Sequence, residues 1–259
     1  MKKKKVALVL GGGAALGFAH IGVIKVLEHN GINVDIVVGT SMGALVGATY
    51  CAGLNPKEML EVATRFKTLD MVDLNFNKAG LFSGKGVMRP IAKFLPDVNI
   101  EDLNKKFACV ACDLITEIEV VLTSGSLRDA VRSSISIPGV FVPVVKDDML
   151  LIDGGVINNL PEEVAINMGA EVIISVDVIN KSRIKKTPKS FMDTLIAGIN
   201  ISTKEIQKYK SYHADVLICP DTSNIGFLDF NRKSCEDCIK KGEKEAKKHL
   251  EEIIKVLKA

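Results

Sequence analysis

Residues 34–52 read Val34-Asp35-Ile36-Val37-Val38-Gly39-Thr40-Ser41-Met42-Gly43-Ala44-Leu45-Val46-Gly47-Ala48-Thr49-Tyr50-Cys51-Ala52. An apolar, β-branched run enters a G-x-S-x-G pentapeptide, and an apolar stretch suited to a helix (residues 44–52) leaves it. A sharp strand-to-helix turn of this kind pushes the serine hydroxyl out above a sheet. Glycines two before and two after leave room for the bent backbone and for a substrate. The helix that starts there aims free N–H groups and a partial positive charge at any anion forming beside the serine. Ser41 is therefore the candidate nucleophile, with Gly39 and Gly43 as its motif glycines; a plain strand–turn–helix connection is the alternative.

Outward from this stretch the pattern repeats. Upstream, residues 6–10 read as a buried strand, 11–17 as a glycine-rich loop and 19–30 as a helix with apolar residues at helical spacing, closed by Asn30-Gly31. Downstream, helices are expected over 57–67, 128–134, 161–168, 191–209 and 235–257. Strands are expected over 107–113, 119–123, 150–153, 172–176 and 216–219. Residues 70–96 mix large apolar side chains with glycine and lysine, and read either as an ordinary helix–loop–helix or as an apolar cap. Strands alternating with helices predict an α/β fold with a mostly parallel sheet covered on both faces. There is no internal repeat or low-complexity linker. Residues 1–259 are read as one domain, with its core at about 6–178 and a C-terminal helical extension at about 190–259.

The 259 residues are 47% hydrophobic and 25% charged, as in a soluble globular protein with a sizeable core. No apolar run reaches the ~20 residues of a membrane span. A net charge of only +3 gives no reason to expect a nucleic-acid partner. The positive charge is gathered in Lys2–Lys5 and in Lys181, Arg183, Lys185, Lys186 and Lys189. Such clusters read as solvated faces, or as contacts to anionic lipid headgroups. The glycines that break the first apolar run argue against a secretion signal. The chain is accordingly read as cytoplasmic, with peripheral contact to the inner membrane face as an option; the residues carry no information on oligomeric state. The pairs Cys109/Cys112 and Cys235/Cys238 have zinc-ligand spacing, but the first lies on a strand, where residues three apart face opposite ways. Reduced thiols and no metal are expected.

A nucleophilic serine needs a base and an oxyanion hole. The loop Gly11-Gly12-Gly13-Ala14-Ala15-Leu16-Gly17 ends the first strand and opens a helix, so its N–H groups are candidate oxyanion donors. It also resembles a dinucleotide-binding turn, but the acidic residue expected at the end of the second strand is missing. Of His20, His29, His213 and His249, the first two come too early for a hydrolase triad, the last sits on the solvated face Lys247-Lys248-His249, and His213 precedes a strand rather than following one. Asp153 ends a strand and is followed by Gly154-Gly155, a tight turn able to bring its carboxylate to the serine. A simple Asp-Gly turn is the bland alternative.

Taken together and in order, four segments are similar to the patatin-like phospholipases, especially their compact bacterial-type members. They are the glycine loop with Phe18-Ala-His-Ile-Gly-Val-Ile, Gly39-Thr-Ser-Met-Gly43, Ser133-Ser-Ile-Ser-Ile-Pro-Gly-Val-Phe-Val-Pro143 and Asp153-Gly-Gly155. The resemblance spans roughly residues 6–178. It implies a three-layer α/β/α fold and a Ser41–Asp153 dyad, with lipid-ester hydrolysis through an acyl-enzyme and no metal or cofactor. The expected oxyanion donors are the N–H groups of Gly12, Gly13, Ala14 and Met42. In this loop the family usually reads G-G-G-x-R/K-G, whereas Ala14 stands here for the third glycine and Leu16 for the basic residue. The expected substrate is a lipid or another acyl ester, and residues 71–95 with Phe76, Phe82 and Phe94 are the expected acyl-chain wall. A general carboxylesterase or thioesterase, and a non-catalytic lipid-binding regulator on the same scaffold, are the alternatives.

Overall fold

A computed structural model describes the chain except for residues 1–3, 66–72, 74–78, 183–186, 189 and 211. Its centre is an eight-stranded sheet: β1 (Val6–Leu10), β2 (Ile36–Thr40), β3 (Lys106–Asp113), β4 (Ile118–Leu122), β5 (Val144–Lys146), β6 (Met149–Asp153), β7 (Val172–Val176) and β8 (Val216–Ile218). The β1–β2, β1–β7, β2–β3 and β7–β8 pairs are parallel, and β3–β4, β3–β6 and β5–β6 are antiparallel.

β1 and β2 are buried along their whole length because both faces of the sheet are covered. Ala7, Val9, Ile36 and Val38 face Val164 and Ala165 of α6 (Glu162–Asn167). Leu8, Leu10 and Val37 point the other way, into a larger core shared with α1 (Ala19–His29), α2 (Met42–Cys51) and α8 (Arg232–Lys248). The layers are therefore helix, sheet, helix. The remaining helices are α3 (Pro56–Arg65), α4 (Lys85–Ile91), α5 (Leu127–Ser134), α7 (Phe191–Tyr209) and α9 (Leu250–Lys258). Among the described residues, no helix is long and apolar enough to cross a membrane.

Four local expectations change. The helix after Ser41 begins at Met42 rather than residue 44, directly after the serine. β5 is an added strand, too short to show alternation. Residues 85–91 form α4, while Met71 and Phe76 of the expected apolar wall lie outside the described residues. The C-terminal segment does not stand apart from the core. β8 extends the sheet, and α8 packs along α1 with Cys235, Cys238 and Ile239 in the main core.

The register around β3 positions the site. β4 lies along one edge of β3. On the other edge β2 runs up to Thr40, opposite Val110, and β6 runs down from the far end to Asp153, opposite Ala111. The carboxyl ends of β2 and β6 thus meet tip to tip on a shared edge.

Candidate active site

Ser41 follows β2 directly, with φ 54° and ψ −123°. A side-chain-bearing residue in that region costs on the order of 1–3 kcal/mol and persists only when its surroundings enforce it. Two enforcing contacts stand out. A Cβ on Gly43 would sit 2.0 Å from the Leu10 carbonyl oxygen, so only glycine lets α2 start this close to β1. The Ser41 N–H donates to Ser134 Oγ at 2.9 Å, and that hydroxyl donates to the Val110 carbonyl at 2.6 Å. Ser134, fully buried at the end of α5, therefore braces the turn. In Ser134→Ala, both the Ser41 N–H and the Val110 carbonyl lose this partner, which should cost roughly 1–3 kcal/mol. A thermal melt should register that loss, and the rate of serine labelling should fall about tenfold or more. An unchanged labelling rate would mean that the turn keeps its shape without this bond.

Ser41 Oγ donates to Asp153 Oδ2 at 2.6 Å, joining residues 112 apart in sequence. The second carboxylate oxygen, Oδ1, accepts from the Gly155 N–H at 2.8 Å, and the Asp153 N–H donates to the Ser136 carbonyl. Only 5% of Asp153 is exposed, and this burial pushes its carboxyl up to about 6, against the lowering effect of the Ser41 and Gly155 bonds. The carboxylate is thus a stronger base than one in water, and it already accepts the serine hydroxyl's hydrogen bond.

The glycine loop lies beside this pair, and its donors are not all available. The Gly12 N–H donates to the Asn159 carbonyl at 3.3 Å, so Gly12 is removed from the expected set of free donors. The Gly11 N–H is taken by Val176 and the Ala15 N–H by Phe227. Gly13 and Ala14 carry N–H groups with no partner among the described residues, and both line the cleft with Ser41. Met42 opens α2, where N–H groups have no intrahelical acceptor. Asn159 also holds the other side of Gly12, with Nδ2 3.4 Å from its carbonyl oxygen. That carbonyl and the Gly13 N–H belong to one planar peptide and point opposite ways, so Asn159 helps aim the Gly13 donor. Ala14 has φ 47°, a left-handed conformation that glycine adopts without strain. The backbone path survives the loss of glycine there.

The histidines lie away from this pair. His20 is buried with Nε2 2.8 Å from the Gly11 carbonyl, and burial lowers its pKa to about 4, so it braces the loop as a neutral ring. The His213 backbone N–H bonds Glu162, and His249 Nδ1 pairs with Glu252. None bonds Ser41 or Asp153. All six cysteines are free thiols.

The cleft is roofed by α7. Ile196, Ile199, Asn200 and Thr203 line it, and Thr203 donates to the Gly155 carbonyl at 3.0 Å. Ser134, Asn159 and the α7 face escaped the sequence reading. Ser134 stands inside one of the motif segments without a signal of its role. Asn159 lies six residues past Asp153, and its partner is 147 residues away.

A strained serine on a strand-to-helix turn, bonded to a buried aspartate beside free loop N–H groups, is an arrangement of hydrolytic α/β folds. The chain belongs to the patatin-like phospholipase family, whose model matches residues 8–166, a span that takes in the glycine loop, Ser41 and Asp153. Among curated relatives it is 40% identical over 181 residues to neuropathy target esterase sws of Drosophila melanogaster, covering 67% of this chain and 13% of that protein. To human patatin-like phospholipase domain-containing protein 6 it is 39% identical over 228 residues, covering 85% of this chain and 16% of the relative. The chain therefore spans less than a fifth of the length of these two relatives. Among solved structures, VipD from Legionella pneumophila shares the fold, with a TM-score of 0.68 at 14% identity over 96% of this chain and 67% of that one.

Proposed function

We propose that this protein hydrolyses carboxylic esters of lipids through a Ser41–Asp153 dyad. The observation that carries this reading is the 2.6 Å bond from Ser41 Oγ to a buried carboxylate, made beside two N–H groups without partners among the described residues. Asp153 takes the hydroxyl proton as Ser41 Oγ attacks the ester carbonyl carbon. The Gly13 and Ala14 N–H groups, joined by Met42 at the start of α2, hold the oxyanion. Donors of this kind contribute roughly 10²–10³ each in rate. As the tetrahedral intermediate collapses, Asp153 returns the proton to the leaving alcohol and the acyl group stays on Ser41. Asp153 then deprotonates a water that attacks the acyl-enzyme, and the carboxylic acid leaves. Lipid esters are the favoured substrates because the relatives are named as phospholipase-domain and esterase proteins. The outer side of α7 exposes Phe191 and Tyr209, which supports contact with a lipid surface.

The direct test is reaction with a small fluorophosphonate followed by intact-mass measurement. One adduct on the wild type and none on Ser41→Ala is expected; an adduct on the variant would place the reactive group elsewhere. The pH dependence follows from Asp153. Its protonated form cannot accept the serine proton, so the labelling rate should be low in acid, rise through about pH 6 and stay level above about pH 7. A flat profile between pH 5 and pH 8 would argue against Asp153 as the base.

A further inference from the structure

We propose that the groove between α7 and Val156 binds the leaving alcohol of the ester that Ser41 attacks, and that this alcohol carries hydrocarbon, as the glycerol backbone of a lipid does. This rests on the hydrolase reading and adds to it which half of the substrate is selected, and where.

Directly over Ser41 the cleft has a volume of only about 50 Å³, so a lipid ester that brings its carbonyl to the serine must extend out of it. The adjoining groove has a volume of about 520 Å³. That falls within the range of about 300–1,000 Å³ that holds a drug-sized ligand. The two spaces are continuous, because Val156, Ile199 and Thr203 line both. Leu195 completes the groove with Thr194, Gly198 and Ser202, and the last three are exposed, so it opens to solvent along α7. Phe82 and Phe94 of the expected acyl-chain wall line neither space. Phe82 packs on Phe141, with ring centroids 6.3 Å apart, and Phe94 lines a separate pocket with residues of α2 and α3.

The position of the groove selects the alcohol half. Val156 ends the short turn that begins right after Asp153, and Thr203 is tied to the same turn by its bond to the Gly155 carbonyl. The groove therefore opens on the Asp153 flank of Ser41. When the tetrahedral intermediate collapses, the C–O bond to the alcohol breaks and Asp153 gives that oxygen its proton. The alcohol must then stand on this flank, while the oxyanion faces Gly13 and Ala14. The lining suits an uncharged amphiphile. Among the described residues no charged side chain lines the groove, and Val156, Leu195 and Ile199 supply carbon. The Thr194 and Thr203 hydroxyls are spent on the Ser190 and Gly155 carbonyls, which leaves the exposed Ser202 hydroxyl to meet a glycerol oxygen at the open side. Gly198 keeps the space clear. It stands in the middle of α7, where glycine costs about 1 kcal/mol relative to alanine. A Cβ there would meet no atom within 4 Å, so no close contact calls for glycine. What the missing side chain leaves is room in the groove.

The test measures release of butyric acid from methyl butyrate and from the butyrate ester of 1-O-octylglycerol, which share the acyl half. Wild type and Gly198→Leu are compared, each first titrated with a small fluorophosphonate to count reactive Ser41. In wild type, kcat/KM should favour the octylglycerol ester by about tenfold or more, and in Gly198→Leu that preference should fall by about tenfold or more, as several methylenes lose their place in the groove. The p-nitrophenyl octanoate-to-acetate ratio varies only the acyl half and should stay as it is in wild type. If Gly198→Leu melts early, Ser202→Leu fills the groove from the next turn of α7 and carries the same expectation. No alcohol preference in wild type, an unchanged preference in a titratable variant, or a fall confined to the acyl ratio would overturn the assignment while leaving Ser41 as the nucleophile. If the small fluorophosphonate leaves wild type unlabelled, the hydrolase reading fails and the role of the groove falls with it.

Discussion

Asp153→Asn should slow fluorophosphonate labelling of Ser41 by roughly 10²–10⁴, the range lost when a positioned general base is removed. Asparagine has nearly the same shape, and its carbonyl oxygen can keep the bond from the Gly155 N–H that Asp153 Oδ1 now accepts. What changes is the atom facing Ser41. An amide NH₂ there donates where the carboxylate accepted, and it takes no proton from the serine. The same substitution should not weaken the fold at neutral pH. Burial raises the Asp153 pKa from 3.8 to about 6. The folded state therefore favours the protonated form, and stability is lost as pH rises from the unfolded pKa toward the folded one. Above that window the charged carboxylate costs on the order of 3 kcal/mol, which the neutral amide avoids. Labelling should collapse while the melting temperature at pH 7 holds or rises. A variant that labels at the wild-type rate would remove Asp153 from the mechanism, and one that melts early would show that the carboxylate is needed for folding.

The second large effect concerns the fold. Gly22→Ala should destabilise the protein by about 3 kcal/mol or more, because α1 and α8 cross without space for a methyl group. A Cβ on Gly22 would lie 2.0 Å from the Ile239 carbonyl oxygen, and one on Gly242 would lie 2.0 Å from the Ala19 carbonyl oxygen. Both obstacles are backbone, so the helices must separate. For a chain of this size that is a fall in melting temperature of about 10 °C. The damage should reach the site as well. Cys238 Sγ of α8 contacts the Ala15 carbonyl at 3.6 Å, and Phe227, just before α8, accepts the Ala15 N–H. Moving α8 therefore loosens the loop that presents the Gly13 and Ala14 donors, and the labelling rate of the folded fraction should drop too. An unchanged melting temperature would mean that the helix pair can separate at little cost.

Much of the architecture was readable because its signals are local. The run Val6–Leu10 is apolar throughout, as a strand buried on both faces must be, and α1 shows its periodicity and its Asn30-Gly31 stop. The turn at Ser41 announces itself within five residues, and Asp153 within three. What failed to show was short or distant. β5 has three residues and forms only because β6 offers an edge. The start of α2 at Met42 depends on the Gly43–Leu10 approach, which involves two separate strands' surroundings. The C-terminal region read as an extension because α8 is charged along much of its length, while the glycine and cysteine face that meets α1 is narrow.

By itself the sequence determined the turn that carries Ser41, the family's motifs and the layered fold, since each of these is written in neighbouring residues and their periodicity. Only the tertiary structure decided which partners Ser41 has and which loop donors are free. Gly12 looked equivalent to Gly13 until the Asn159 carbonyl took its N–H, and Ser134 looked like one serine among several until its hydroxyl met the Ser41 N–H. Hydrogen-bond capacity is shared among groups that the chain brings together from far apart. Whether a donor is spent or available is therefore a property of the folded contact and not of the residue that carries it.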